Sequence, residues 1–204
     1  MKLLKVEAGS EEWRQLRAGI PTASQAHRIV TPGKLEPSKS QDDYMHELIA
    51  ERMLGYPLDN ASSDFMERGT VLEPEAVKLY ELITNADTSP GGFCVTDDGR
   101  FGCSPDRLVG YAGGLELKCP KPATHVGYLI NAGHAAKYRM QVLASLYVTG
   151  FAWWDLMSYH PDMPPALLRI ERDAKALAII GARIKEFCDR LDEMEKVARS
   201  KGEP

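Results

Sequence analysis

Apolar residues recur on two different periods in this chain, and the change between them outlines a fold. From Gln41 to Leu54, the residues Tyr44, Met45, Leu48, Ile49 and Met53 form the stripe of an amphipathic helix. Val71, Leu72, Val77, Leu79, Tyr80 and Ile83 repeat that spacing between Ser63 and Ile83. Nearer the start, Ser10 followed by Glu11 and Glu12 reads as an N-cap with acids in the first turn. The helix it opens carries Trp13, Leu16 and Arg17 and stops near Gly19. Thr22 and Ser24 can cap a second short helix that ends before Pro32, and Thr31 to Ser40 has the composition of a loop. The period then shortens. Phe93 to Thr96, Arg100 to Cys103, Arg107 to Val109 and Leu115 to Cys119 are strand-like segments split by Gly and Asp. A helix from His134 to Val148, strands at Ala152 to Tyr159 and Ala166 to Glu171, and a helix from Asp173 to Arg199 complete the pattern. Helices flanking a central block of strands give an α/β or α+β class.

Composition narrows this picture. The 204 residues, 44% hydrophobic and 26% charged, suit one domain spanning 1–204 with a full core. A net charge of -4 excludes a uniformly basic DNA-coating protein, so any nucleic-acid role needs locally concentrated positive charge. Cys94, Cys103, Cys119 and Cys188 show no paired spacing, which argues against a zinc site or a disulfide framework. His27, His46, His125, His134 and His160 show no metal-binding spacing and read as ordinary surface or partly buried residues. The first ten residues are too short and polar for a signal peptide. No apolar run approaches the ~20 residues that span a bilayer. The expectation is a soluble cytoplasmic protein.

The chemistry concentrates in Ser104-Pro105-Asp106 and Leu115-Glu116-Leu117-Lys118. Side chains alternate across a strand, so Leu115 and Leu117 face a core while Glu116 and Lys118 share the other face. Asp106 precedes the turn at Tyr111 to Gly114, and a hairpin would bring it beside Glu116. Two carboxylates at one point make a hard-oxygen site for Mg2+, with Mn2+ able to substitute, and the Leu117 carbonyl is a further oxygen. A lysine next to such an ion can hold or activate water for attack on phosphorus. A Glu-x-Lys strand is also a common solvated sheet face.

With those residues in view, the chain resembles the lambda-type phage exonucleases and the related YqaJ-like viral recombinases of the PD-(D/E)xK nuclease superfamily. Four stretches carry the resemblance: EEWRQLRAGIPTAS (Glu11 to Ser24), RGTVLEPEA (Arg68 to Ala76), CSPDRLVGYAGGLELKCP (Cys103 to Pro120) and YRMQVLASLYVTG (Tyr138 to Gly150). It implies a restriction-endonuclease-like core, a central mixed β-sheet flanked by helices. It implies that Asp106, Glu116 and the Leu117 carbonyl ligate Mg2+ and that Lys118 positions the water. Glu73 would lie beside the ion, and Gln141 would approach the lysine and the scissile phosphate. Arg17, Ser24 and Ser104 would hold the 5′-phosphate of a DNA end, and Met66 would wedge into the terminal base pair. Simpler readings stay open beside these. Ser24 can be a cap, Glu73 an acid at a helix start next to Pro74, Gln141 a solvated residue and Met66 core packing. The family often has Gly where Arg107 stands, and the contact of Lys34 is open.

The resemblance further implies 5′-to-3′ digestion of double-stranded DNA ends to mononucleotides. A homotrimer ring would enclose the duplex, and the 3′ overhang would pass to a single-strand annealing protein in phage-type recombination. The alternatives are another repair nuclease of the superfamily or a non-catalytic DNA-binding module. The dispersed cysteines argue against an iron–sulfur nuclease, and the complete Asp, Glu and Lys set argues against a bare binding module.

Overall fold

The computed structural model describes residues 1–58 and 64–201, without the side chains of 64–67. In chain order the elements are β1 (Lys2–Leu4), α1 (Glu11–Arg17), a 3-10 helix (Ala23–Arg28), α2 (Gln41–Leu54), α3 (Asp64–Thr84), β2 (Thr88–Pro90), β3 (Phe93–Val95), β4 (Gly102–Cys103), β5 (Arg107–Val109) and β6 (Gly113–Lys118). They continue with α4 (Pro122–Asn131), α5 (Gly133–Thr149), β7 (Trp153–Ser158), β8 (Ala166–Glu171) and α6 (Ala174–Ser200). Five strands form a mixed sheet in the order β2-β5-β6-β7-β8, parallel between β6 and β7 and antiparallel elsewhere. A separate three-stranded sheet has the order β1-β3-β4. The expected central mixed sheet flanked by helices is the observed architecture.

Local chemistry explains the elements that hold the site. Ser10 caps α1 by accepting the Trp13 N–H at 3.1 Å, and Asp173 caps α6 by accepting from Lys175 and Ala176. The crossover from β6 to β7 runs through α4 and α5, as a parallel pair requires. β6 begins at Gly113 and Gly114 because the rings of Trp153 and Trp154 press on them. A Cβ at Gly114 would stand 2.5 Å from the Trp154 ring.

The central sheet has a different core on each face. Leu115, Leu117, Val109, Met157 and Tyr159 pack against Ala76 and Tyr80 of α3. Trp154 belongs to the larger core built from α2, α5, α6 and the 3-10 helix. Alternation along β7 therefore divides its side chains between the two layers.

Three elements lie outside the sequence expectation. β1 and β2 are three residues each, too short to show a period. α4 leaves Val126, Leu129 and Ile130 exposed, so it has no polar outer face to reveal its turn. Two expectations are corrected. Pro74 lies inside α3, so Glu73 is not at a helix start and the simple first-turn reading of that acid falls. Thr22 occupies the N-cap of the 3-10 helix without a side-chain cap bond, and Ser24 lies within the helix instead of capping it. The four cysteines are free thiols, as expected. His125, His134 and His160 are buried rather than superficial. His125 sits between Ser158 Oγ at 2.7 Å and the Pro164 carbonyl at 3.0 Å, tying α4 to β7. Among the described residues, no helix is long and apolar enough to cross a membrane.

Candidate active site

The site grows from the β5–β6 hairpin. Leu115 and Leu117 face α3, which turns Glu116 and Lys118 toward α5. The register pairs Arg107 with Leu115, and Asp106, one residue earlier, continues that line beside Glu116. Asp106 Oδ2 accepts the Leu117 N–H at 2.6 Å. A strand residue directs its N–H and C=O to the same neighbour, so the Leu117 carbonyl opens onto the Asp106 edge.

Glu116 is 3% exposed, so the solvated-face reading of this strand does not hold. Its Oε1 accepts Lys118 Nζ at 2.5 Å and Gln141 Nε2 at 2.6 Å. Gln141 is thus bound to the site through Glu116 and is not a solvated helix residue. Glu116 Oε2 and Asp106 Oδ1 have no hydrogen-bond donor among the described residues.

Electrostatics follow from this crowding. Burial, then the negative charge of Glu116, pushes the Asp106 carboxyl well above the ordinary range, against the pull of Lys118 and the Leu117 N–H. Burial likewise raises Glu73, opposed by Arg107 and reinforced by Glu116. Burial alone would lower Lys118, but Glu116 and Asp106 outweigh it and hold the ammonium above its usual value. Glu73 therefore stands within electrostatic reach of the pair while touching neither.

Among the described residues, no three His, Cys, Asp or Glu side chains close on one point. The donor set still fits a hard divalent ion of the Mg2+ type, which binds through one or two carboxylates and keeps waters or substrate oxygens. Two carboxylates whose mutual repulsion already favours a proton are relieved when a cation takes that place.

A second cluster lies two residues away. Ser104 Oγ accepts Arg17 Nη1 at 2.8 Å and Trp13 Nε1 at 3.0 Å. With both acceptor positions engaged, the Ser104 hydroxyl hydrogen is left to donate outward. The Arg17 guanidinium lies 4.0 Å from the centre of the Trp13 ring, and no carboxylate is within ion-pair range among the described residues. Burial lowers its pKa, with Tyr44, Cys103 and Glu51 opposing. Ser24 Oγ is exposed and 3.2 Å from Thr22 Oγ1. It makes no bond to Arg17 or Ser104, so the structure unites only two of the three phosphate candidates directly. The Met66 side chain lies outside the described residues. Arg107 donates to Thr88 Oγ1 at 2.9 Å and to the Thr88 carbonyl at 3.3 Å, and Lys34 is exposed.

The sequence reading assigned nothing to Trp13 or Tyr138. Each lies one helical turn before an assigned residue, Arg17 and Gln141, and that spacing was the available signal.

Residues 12–152 match the model of the YqaJ-like viral recombinase domain. The chain belongs to that family. Among solved structures, this YqaJ-family chain is similar to the alkaline exonuclease LHK-Exo of Laribacter hongkongensis. Identity is 33% over 95% of this chain and 98% of that one, with a TM-score of 0.84. A complex of LHK-Exo with dAMP superimposes equally, at 32% identity. A phage-related exonuclease from Haemophilus somnus 129PT, 13% identical with a TM-score of 0.70, shares the fold across 88% of this chain and 96% of its own. No protein of curated function matches the sequence.

Proposed function

We propose that this YqaJ-family chain is a Mg2+-dependent exonuclease that digests one strand of double-stranded DNA from its 5′ end. It would release 5′-mononucleotides and leave 3′ overhangs for single-strand annealing. The observation that carries the proposal is the adjacency of two unlike clusters. A carboxylate pair with a bonded lysine and glutamine stands two residues along the chain from Ser104, whose hydroxyl holds an arginine that has no acid partner among the described residues. The first suits phosphodiester hydrolysis and the second suits a terminal phosphate. Two residues of extended chain span at most about 7 Å, so a 5′-phosphate held by Arg17 and Ser104 lies close to the next phosphodiester. The similarity to LHK-Exo supports exonuclease chemistry, and dAMP is a product of the expected kind.

Asp106, Glu116 and the Leu117 carbonyl would hold the ion, which neutralises phosphate charge and makes water a better nucleophile. Lys118 Nζ has donors beyond its bond to Glu116 and would orient the attacking water in line with phosphorus. Gln141 fixes the Glu116 carboxylate so that Oε2 faces the site. Glu73 would accept a hydrogen bond from a water at the rim. Arg17 would grip the end phosphate and Ser104 would donate its hydroxyl to it, which selects a 5′-phosphorylated end.

Linear duplex labelled separately at each end tests the reading. The expected result is mononucleotide release from the 5′ end only, and only with Mg2+ or Mn2+. Asp106→Asn and Lys118→Ala should each lower the rate by at least about 100-fold while DNA binding and melting temperature persist. Full activity in either variant, release from the 3′ end, or cutting of closed circular duplex would overturn the proposal. Salt-dependent binding without cleavage would favour a DNA-binding module instead.

A further inference from the structure

Lys118 is held from two sides. Its Nζ bonds Glu116 Oε1, and it also lies 4.8 Å from the ring centre of Tyr138 on α5. Tyr138 sits one turn before Gln141, whose amide bonds the same Glu116 oxygen. One turn of α5 thus supplies a grip on the carboxylate and a grip on the ammonium. The Tyr138 ring also lies 5.1 Å from the Lys137 ammonium, so it serves two cations.

We infer that Tyr138 is a positioning residue for the reaction: its π face holds the Lys118 ammonium in the site. This rests on the nuclease reading of Asp106, Glu116 and Lys118. The need arises because lysine is a flexible stem ending in a point charge. Glu116 alone cannot fix it, because the carboxylate that bonds Lys118 is also the one offered to the divalent ion. Once Glu116 shares its charge with an ion, its attraction for the lysine weakens. A ring has no such second claim on it from the ion, and its quadrupole attracts the ammonium whether or not the carboxylate is engaged. Tyr138 therefore keeps Lys118 aimed when the site is loaded. The phenolic hydroxyl is not needed for this, only the electron-rich face.

Replacing Tyr138 with phenylalanine and then with phenylalanines of increasing ring fluorination tests the idea, because fluorine drains the π face while nearly preserving shape. Steady-state nucleotide release from 5′-phosphorylated duplex is measured for each ring, in the native background and with Lys137→Met. Tyr138→Phe should stay within about twofold of the parent. Across the fluorinated rings kcat should fall progressively, by roughly 3- to 30-fold in total, with KM for duplex unchanged and in both backgrounds. Tyr138→Leu, which packs without a π face, should fall at the low end of the series. A flat kcat across the fluorinated rings, with the parent active, overturns the role of Tyr138 and leaves the nuclease reading intact. A slope that disappears with Lys137→Met overturns it as well, because the ring then acts through Lys137. An inactive parent overturns the nuclease reading itself.

Discussion

Glu116 Oε1 takes two donors while Oε2 and the neighbouring Asp106 Oδ1 take none among the described residues, so each carboxylate has one edge tied to the protein and one edge open. That division is what a site for an exchangeable ion and substrate requires. A parallel division holds at Ser104, whose two N–H partners leave its own hydrogen to a ligand. The consequence is a preference for phosphorylated ends. Wild-type protein should degrade 5′-phosphorylated duplex faster than 5′-hydroxyl duplex, by roughly 10-fold or more for a charge-assisted contact. Arg17→Ala should slow only the phosphorylated substrate until the two rates meet. Equal rates in the wild type would remove the end pocket from the account. Much of this was readable in advance. Alternation alone separates Glu116 and Lys118 from Leu115 and Leu117, and the turn after Val109 brings Asp106 back. For Tyr138 the sequence offered only its spacing from Gln141; its contact with Lys118 depends on where α5 docks after a separate helix and a tight link.

Between elements, α6 is fastened to the β3–β4 hairpin by Arg100. Its guanidinium bonds Asp189 at 2.6 Å and Asp98 at 3.1 Å, with Asp192 at 3.4 Å. Asp189 bonds Lys185 as well, and Arg52 reaches Asp192 and Glu195 from α2. Two of these acids are held low: Lys185 and then Arg100 depress Asp189, and Thr96 followed by the Arg100 contacts depresses Asp98. A carboxyl with a depressed folded pKa stabilises the fold above its unfolded value and loses that contribution as pH falls through its folded value. Arg100→Ala should therefore lower the melting temperature by a few degrees at neutral pH. The gap to wild type should close as pH falls from the ordinary carboxylate value near about 4 through the lower folded values of Asp98 and Asp189. A gap independent of pH would mean that Arg100 acts by packing alone. None of these ties was visible in the sequence, since Arg100 and Asp189 are separated by 89 positions. The elements they join were visible: the stripes of α2, α3, α5 and α6 and the β5–β6 and β7–β8 strands fall within a few residues of the observed ones. The failures have physical causes. α4 lacks a polar face, and the alternative reading of Glu73 as a first-turn acid takes Pro74 for a helix start although α3 runs through it.

For the molecule as a whole, the net charge of -4 still has to be reconciled with a polyanionic substrate. The homotrimer ring around duplex DNA that the resemblance implies would do so if it turned the basic groups of the site inward and the acids of α6 outward. Val71, Leu82, Ile83 and Ile130 are exposed apolar side chains that subunit contacts would cover. Light scattering should then give a particle of three times 22.6 kDa, and degradation should continue along one duplex after excess competitor is added. A monomer with distributive digestion would require another explanation of how an acidic chain stays on DNA.

β6 is the middle strand of its sheet, paired with β7 along its whole length and with β5 over Gly113, Gly114 and Leu115. Glu116 and Lys118 are therefore fixed to a central strand, with Asp106 immediately before the neighbouring one, whereas Arg17, Glu73 and Tyr138 arrive from helices laid around it. Chemistry and choice of substrate sit on separable parts. Remodelling α1 or α3 could redirect such a scaffold from chain termini to internal positions, or from one nucleic acid to another, without disturbing how the phosphodiester is broken.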